Sequence, residues 1–559
     1  MTRADGDPQA RAADPQVSAF VTANAGSGKT KTLIDRVARL LLAGASPDEI
    51  LCVTYTKAAA AEMQTRLFSL LGDWSVLDDG RLRLELSKLE GRKAGDYHPD
   101  ALSAARALFA RALETPGGLR IQTLHAFCEK LLRRFPLEAG ISPGFEVLDD
   151  LGASQLKRNA RTALAQHALD QNGGQIAEAY ARLSVDFDHA AFEGLFDAFA
   201  GMAGELNAWL DKVEADGGLE AVVWTALTGS PASLDAGGIE TEMQEGGLTA
   251  EAWLRIAEGL DVKGASKGAK TLADLLDAYH GAPPLPALLD ALFTQKFTPK
   301  PGVGGSKTLS HAPALRRQLD EEMDRLQSLE ARRKQAVAGQ KTLDVLLLAR
   351  AWLAAYEIEK QQSGRLDFGD LIDRTLDLTA KAGMAAWVLY KLDQKLAHVL
   401  VDEAQDTSPA QWSILNQLTG EFFAGAGRPG AGGALSRSLF VVGDEKQSIY
   451  SFQGASPDRM EEEFEAYRSR AEAVGAVFER IELKVSWRST EDVLGFVDQV
   501  FDAPEGRGAL LGGREGTIRH EARRSDRGCI DLWDLVEPPA KEERVAWTTP
   551  PDALAVNSS

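Results

Sequence analysis

Residues 23–30 combine two glycines with a Lys-Thr pair in the run Ala-Asn-Ala-Gly-Ser-Gly-Lys-Thr. An apolar segment precedes the run and a helical pattern of apolar residues follows it. Strand, glycine loop and helix in that order are typical of a phosphate-binding loop, in which backbone N–H groups surround an anion. Lys29 would reach the β and γ phosphates, and the Thr30 hydroxyl would bind Mg²⁺. We therefore predict a nucleoside triphosphate site.

The first position of this loop is Ala23, where the common pattern has Gly. A glycine-rich turn that merely begins a helix is therefore the alternative interpretation. Under the leading interpretation, the loop residues that contact the nucleotide are Ala23, Asn24, Ala25, Gly26, Ser27, Gly28, Lys29 and Thr30.

A pair of carboxylates, Asp402 and Glu403, directly follows the apolar run 398–401. Acids that end a buried strand lie on the edge of the sheet where phosphate-binding loops also lie. Asp402 is expected to hold Mg²⁺, and Glu403 is expected to orient and deprotonate the attacking water. Two adjacent surface carboxylates without a function are the alternative.

A third polar motif, residues 443–455, follows the apolar run 439–442. Its Gln447 amide can sense a γ-phosphate by donating a hydrogen bond. Tyr450 and Phe452 are suited to stacking on the bases of a single strand, although such aromatics also serve as core residues.

Composition restricts the class of protein. At 559 residues the chain is expected to form several domains, and no segment approaches the roughly 18 apolar residues needed to cross a membrane. The net charge of −20 argues against a wholly basic surface, but a local basic groove for DNA stays possible. Three cysteines exclude a disulfide framework, and the polar, acidic N-terminus is unlike a secretory signal, so we predict a cytoplasmic protein.

The pattern of apolar runs predicts an α/β fold with a parallel sheet. Short runs rich in Val, Ile and Leu stand beside the polar motifs, as buried parallel strands do. These predicted strands are Ala19–Thr22, Ile50–Thr54, Leu119–Thr123, His398–Val401, Leu439–Gly443 and, less regular, Ile481–Val485. Residues 68–117 and 150–345 lack such runs and are expected to be mostly helical.

Taken together and in this order, the motifs resemble those of superfamily 1A helicases of the UvrD/Rep/PcrA/RecB group. Four more segments extend the resemblance to motifs Ia and Ib, to the run before the Walker B strand, and to motif IV. They are Thr54–Met63, Thr123–Phe127, Leu366–Leu371 and Ser486–Ser489, and with them the resemblance covers residues from about 9 to 495.

The resemblance implies a RecA-like P-loop motor domain (1A), a large helical insertion (1B) and the start of a second RecA-like domain (2A). It implies domain 1A at 1–67, 118–149 with motif Ib, and 346–480 with motifs II and III. It implies helical insertions at 68–117 and, 1B-like, at 150–345. Residues 481–559 would be a truncated start of 2A that contains motif IV.

The resemblance also implies roles for single residues. Gln9 would read the adenine, with Gln16 as a rival, and Trp487 would stack on it. Arg488 would be an arginine finger on the γ-phosphate, completing a catalytic set with Lys29, Asp402, Glu403 and Gln447. The positions that would face DNA are Tyr55, Thr56, His125, Tyr450 and Phe452; Gln453 departs from the family's frequent Arg.

Within the superfamily, the sequence is most similar to the AddA family of helicase–nuclease subunits, which process double-strand breaks with AddB. This similarity implies an ATP- and Mg²⁺-dependent 3′→5′ helicase that acts on single- and double-stranded DNA with an AddB-type partner and outside membranes. A stand-alone UvrD-like repair helicase and a nucleotide-binding regulatory protein without motor activity are the alternatives. Since motifs V and VI are not found after Arg488, we expect the chain alone to bind nucleotide but to hydrolyse it poorly.

Overall fold

The computed structural model divides the chain into two compact units, Met1–Leu131 with Thr375–Ser559, and Leu132–Arg374. It describes residues 7–116, 118–170, 174–260, 265–305, 308–380, 387–388, 391, 396–423, 436–448, 457–503, 506 and 519–536.

The helices and strands are numbered in chain order. The helices are α1 (Pro8–Ala12), α2 (Lys29–Leu42), α3 (Lys57–Val76), α4 (Asp79–Glu90), α5 (Pro99–Glu114), α6 (Leu124–Arg134), α7 (Pro136–Ala139), α8 (Asp150–Asp170), α9 (Gln175–Asp186), α10 (His189–Gly201), α11 (Ala203–Ala215), α12 (Leu219–Thr228), α13 (Ala236–Glu245), α14 (Ala250–Leu260), α15 (Lys267–Ala278), α16 (Leu285–Leu292), α17 (Pro301–Gly304), α18 (Pro313–Ser363), α19 (Phe368–Ala380), α20 (Pro409–Thr419), α21 (Pro457–Ala473) and α22 (Glu491–Phe501). The strands are β1 (Ser18–Ala23), β2 (Ile50–Thr54), β3 (Arg120–Thr123), β4 (Glu146–Val147), β5 (Arg365–Leu366), β6 (His398–Val401), β7 (Ser438–Gly443), β8 (Phe478–Leu483), β9 (Val485–Thr490) and β10 (Glu521–Arg524).

A six-stranded parallel sheet organises the first unit, in the order β3-β2-β6-β7-β1-β8. The central strands are apolar and buried along their length; every residue of β2, β6 and β7 is buried. Strands covered on both faces require such continuous apolar runs, which is why the sequence pattern predicted them. The α/β class with a parallel sheet is confirmed.

The sheet of the first unit continues past residue 480, the predicted end of domain 1A. β8 pairs with β1 in register from Ser18↔Phe478 to Ala23↔Leu483, so the boundary falls inside β8. The single strand predicted at 481–485 is instead two strands, because β8 ends at Leu483 and β9 begins at Val485.

Helices α2 to α5 share one hydrophobic core with the sheet. Leu33 and Leu40 of α2, Trp74 of α3 and Leu102 of α5 are all buried in it. Residues 68–117, expected to be a helical insertion, are thus helical in their described part and complete the core that supports the phosphate-binding loop.

In its described residues, the second unit has the short pair β4–β5 and otherwise consists of helices and their connections. Its longest element is the 51-residue α18, which contributes to two hydrophobic clusters, one through Leu319 and Leu326 and one through Leu348 and Trp352. Buried Asp344 on α18 accepts two hydrogen bonds of 2.8 Å from the Arg182 guanidinium, so its charge is paired. In neither unit is a described helix both long and apolar enough to span a bilayer.

Candidate nucleotide-binding site

The loop between β1 and α2 has the backbone of an anion-binding turn. Gly26 and Gly28 have φ of 72° and 89°, in the left-handed region that residues with a Cβ avoid. A Cβ on Gly26 would lie 2.7 Å from Cβ of Arg488 and 2.8 Å from Oγ of Ser486. Both glycines are therefore required for this loop and for the close approach of β9 to it.

Gln9 lies directly against this loop. Its Nε2 donates a hydrogen bond of 2.8 Å to the carbonyl oxygen of Ser27, whereas its rival Gln16 is exposed. α1, which contains Gln9, is tied to α2 because Nη1 of Arg39 donates to the carbonyl of Ala10 at 2.7 Å. The structure thus places Gln9 where an adenine reader is expected.

Arg36 of α2 fixes the segment between α1 and β1, a role that the sequence pattern did not indicate. The side chain is fully buried, and it donates to the carbonyl oxygens of Ala12, Asp14 and Val17 at 2.8, 2.9 and 2.6 Å. Burial lowers the pKa of the guanidinium to about 9, despite the opposing charge of Asp14. An Arg within the apolar pattern of α2 could have indicated a buried guanidinium. Its partners could not be predicted, because they are backbone carbonyls, which every residue has.

β9 brings Trp487 and Arg488 to the same loop. The backbone N–H of Trp487 donates to the carbonyl of Gly26 at 2.8 Å, and its ring is 49% exposed. The Arg523 guanidinium of β10 lies 4.8 Å from the centre of that ring, a cation–π distance. Arg488 is exposed beside Gly26. Both predicted nucleotide contacts of motif IV therefore lie at the loop.

Lys29 and Glu403 form an ion pair, with Nζ and Oε2 separated by 2.9 Å. Glu403 has a φ of 52°, a strained value for a residue with a side chain, and one that recurs at functional sites. Burial raises the pKa of this carboxyl, but the charge and hydrogen bond of Lys29 and the amide of Gln405 together bring it below its usual value. Glu403 is therefore held as a carboxylate at neutral pH.

Asp402 is also buried, but its pKa is shifted in the opposite direction from that of Glu403. Burial first, and then the negative charge of Glu403, raise its pKa to about 7, although Lys29 opposes the shift. Its Oδ1 is buried and has no hydrogen-bond partner among the described residues. A desolvated carboxylate oxygen of this kind fits Mg²⁺, which prefers hard oxygen ligands and keeps phosphate and water oxygens in its shell.

The candidate oxygen ligands of a cation at this site are Thr30 and Asp402. No three His, Cys, Asp or Glu side chains come together as a ligand set in the described part of the chain. Thr30, the second residue of α2, is partly exposed beside the loop. The chemistry of the Thr30 and Asp402 side-chain oxygens, a hydroxyl and a desolvated carboxylate, fits a hard cation such as Mg²⁺.

The turn after β7 contains Gln447, whose Nε2 donates to Oδ2 of Asp444 at 2.7 Å. Lys446 of the same turn donates to Oδ1 of Asn24 in the phosphate-binding loop at 3.0 Å. The Gln447 side chain is exposed near that loop, as a phosphate sensor must be. Asp444 and Lys446 had no role in the sequence-based prediction, although both are in the motif that it singled out.

Three of the five predicted DNA-facing residues, Tyr55, Thr56 and His125, lie at the same edge of the sheet. An open pocket of about 330 Å³, solvent at its mouth included, is lined by Tyr55, His125 and Asp402 among others. Burial lowers the pKa of His125, which is therefore neutral at pH 7. Thr56 caps α3 through its Oγ1, which accepts from Ala59 N at 3.1 Å. The other two predicted contacts, Tyr450 and Phe452, lie outside the described residues, as does Gln453.

Comparison with known proteins shows one family along most of the chain. The family model described as the UvrD/REP helicase N-terminal domain matches residues 6–468. An ATP-dependent helicase/nuclease subunit of Latilactobacillus sakei is 27% identical over 572 residues, covering 96% of this chain and 58% of that protein. The protein of the same name from Enterococcus faecalis is 29% identical over 549 residues, 91% of this chain and 38% of that protein. The chain thus spans well under two thirds of the length of these relatives.

Proposed function

Since the chain belongs to the UvrD/REP helicase N-terminal domain family, we propose that it is the ATP-binding motor portion of an AddA-type DNA helicase. The observation that supports this most strongly is the contact of Lys29 with Glu403, which joins the phosphate-binding loop to the acidic end of β6. In a motor that hydrolyses ATP, these two groups must lie within reach of the same γ-phosphate.

In the proposed reaction, the γ-phosphate takes the Lys29 ammonium from Glu403. The released carboxylate then accepts a proton from the attacking water, and the Arg488 guanidinium stabilises charge on the transferred phosphoryl group. Mg²⁺ held by Thr30 and Asp402 would neutralise charge on the phosphate oxygens. Gln447 would contact the γ-phosphate, while Gln9 and Trp487 would bind the base.

We further propose that the motor moves 3′→5′ along single-stranded DNA and opens duplex DNA during double-strand break repair, with an AddB-type partner. Tyr55, Thr56 and His125 would contact the strand, together with Tyr450 and Phe452. The names of the relatives, each an ATP-dependent helicase/nuclease subunit, support helicase activity and a role as one subunit of a larger enzyme. A cytoplasmic location suits three cysteines that are all unpaired.

Replacing Glu403 by Gln tests the assignment, because Gln keeps the shape but cannot accept the proton. In the full-length protein, we expect DNA-stimulated ATP turnover to fall by about 100-fold or more, the usual contribution of a general base. The affinity for ATP, measured by isothermal calorimetry, should not weaken, since Lys29 loses a competing partner. The matched control is Glu421→Gln, an exposed acid of the same unit. Turnover that is equal in E403Q and the control would refute the role.

A further inference from the structure

Gln405 is a buried amide that lies between the two acidic motifs of the site. It is 2% exposed and belongs to the short turn Ala404–Asp406 after β6. Its Nε2 donates to Oε2 of Glu403 at 2.9 Å and, less closely, to Oδ2 of Asp406 at 3.3 Å. Its Oε1 accepts a hydrogen bond from the backbone N–H of Asp444 at 2.9 Å. One side chain thus links the end of β6 to the end of β7.

The link continues to the residue that we assign as phosphate sensor. Asp444 is 4% exposed, and its Oδ2 accepts from Nε2 of Gln447 at 2.7 Å. Three hydrogen bonds of 2.7, 2.9 and 2.9 Å therefore connect exposed Gln447 with Glu403 through Asp444 and Gln405. We call this connection the Gln405 relay.

A neutral amide suits the central position of the relay. It must donate to a carboxylate and accept from a backbone N–H at the same time, which an ionised acid or an apolar chain cannot do. The neighbouring backbone leaves room for it, because a Cβ on Gly443 would lie 2.8 Å from Oε1 of Gln405. The Ser448 hydroxyl also donates to the backbone carbonyl of Gln405 at 3.3 Å.

The relay also selects one oxygen of Glu403. Lys29 and Gln405 both donate to Oε2, so Oε1 is the atom left to accept a proton from water. Departure of Lys29 toward a phosphate would leave the amide as the remaining donor that orients the carboxylate.

We propose that Gln405 is a positioning residue, which orients Glu403 for proton transfer and couples that orientation to the contact of Gln447 with the γ-phosphate. The proposal rests on the proposed function. When Gln447 donates to phosphate, Asp444 loses a donor, and the backbone N–H of Asp444 that holds Gln405 moves with the turn. Because the central link, from the backbone N–H of Asp444 to Oε1 of Gln405, is a short hydrogen bond between buried groups, a shift of the turn at Asp444 changes the geometry at Glu403.

The test is steady-state ATP hydrolysis by the full-length protein with saturating single-stranded DNA. Gln405→Met keeps the shape and removes both hydrogen bonds, while Gln405→Glu keeps the acceptor and removes the donor. We expect both to lower kcat by about 10- to 100-fold, the scale of a misplaced catalytic group, with KM for ATP changed by less than about threefold. Gly443→Ala places a Cβ close to Oε1 of Gln405 without removing a polar group, so it should lower kcat less than Q405M. This variant provides the test if Q405M fails to fold.

Double substitutions then separate coupling from general damage. When Glu403 is already replaced by Gln, adding Q405M should not lower kcat further. The double variant Q405M/Q447L should have a kcat no lower than that of the slower of the two single variants. Multiplicative losses in either pair, or a Q405M effect confined to KM, would overturn the relay. If E403Q itself turns over normally, the proposed function fails. If E403Q is inactive while Q405M and Q405E keep normal kcat, only the relay fails.

Discussion

Replacing Asp402 by Asn should stabilise the metal-free protein while it removes magnesium binding. The pKa of Asp402 is raised from an ordinary value of 3.8 to about 7, chiefly by burial. A carboxyl whose pKa is higher in the folded state binds its proton more tightly there than in the unfolded chain. Its contribution to stability is therefore greatest below about pH 4 and is lost as the pH rises through about 7.

The size of the effect follows from the shift. Each pKa unit corresponds to about 1.4 kcal/mol, so the ionised carboxylate costs about 4 kcal/mol of folding free energy at pH 8. Between pH 5 and pH 7 the folded state keeps its proton while the unfolded state does not, which amounts to about 3 kcal/mol over two units. Asn does not titrate, so its advantage over Asp should shrink by about that amount between pH 8 and pH 5.

The assay is thermal unfolding, followed by circular dichroism, in EDTA at pH 5 and pH 8. D402N should melt several degrees above the unsubstituted protein at pH 8, and by clearly fewer degrees at pH 5. About 1 kcal/mol shifts Tm by roughly 2–4 °C in a domain of about 150–250 residues and by less in a larger one. Adding Mg²⁺ and ATP should raise the Tm of the unsubstituted protein much more than that of D402N. An equal shift at both pH values, or a lower Tm for D402N at pH 8, would refute the assignment of a desolvated carboxylate whose pKa is raised by burial.

Two further substitutions test the loop and its support. Gly26→Ala places a Cβ 2.7 Å from Cβ of Arg488, at a φ of 72°. We therefore expect nucleotide affinity, measured by titration with a fluorescent ADP analogue, to fall at least about tenfold. The control is Gly44→Ala, at a left-handed glycine with open space around it, and equal affinity in the two variants would contradict the prediction. Arg36→Leu removes the guanidinium that donates to the carbonyls of Ala12, Asp14 and Val17. The bonds to Ala12 and Val17 are buried, and the loss of each costs about 1–3 kcal/mol, so Tm should fall by several degrees, whereas exposed Arg66→Leu should leave it unchanged.

The sequence predicted the parts of the site that chemistry restricts. A phosphate-binding loop needs glycines and a Lys-Thr pair, and strands buried on both faces need apolar runs, so β1, β2, β6 and β7 could be placed almost to the residue. The bounds of β8 were predicted less well. Its charged residues Glu479, Arg480 and Glu482 interrupt the apolar run, as is typical of an edge strand with one covered face.

The contacts inside the site could not be predicted in the same way. Lys29 and Glu403 are 374 positions apart, and nothing in the local pattern of either shows which acid the lysine meets. Gln405 bonds to a backbone N–H and Arg36 to backbone carbonyls, groups that every residue possesses. Such pairings follow from strand order, which becomes visible only once the sheet has formed.

That strand order has a consequence for biosynthesis. β1 is paired on one side with β7 and on the other with β8, in the registers Ala19↔Phe440 and Ala19↔Glu479. At a translation rate of about 5–20 residues per second, β1 leaves the ribosome roughly 20–80 s before its first neighbour exists. Throughout that interval an apolar strand has two open edges, a state that favours aggregation. We therefore expect β1, the strand that leads into the phosphate-binding loop, to be the strand of the nascent chain that most needs protection by a chaperone.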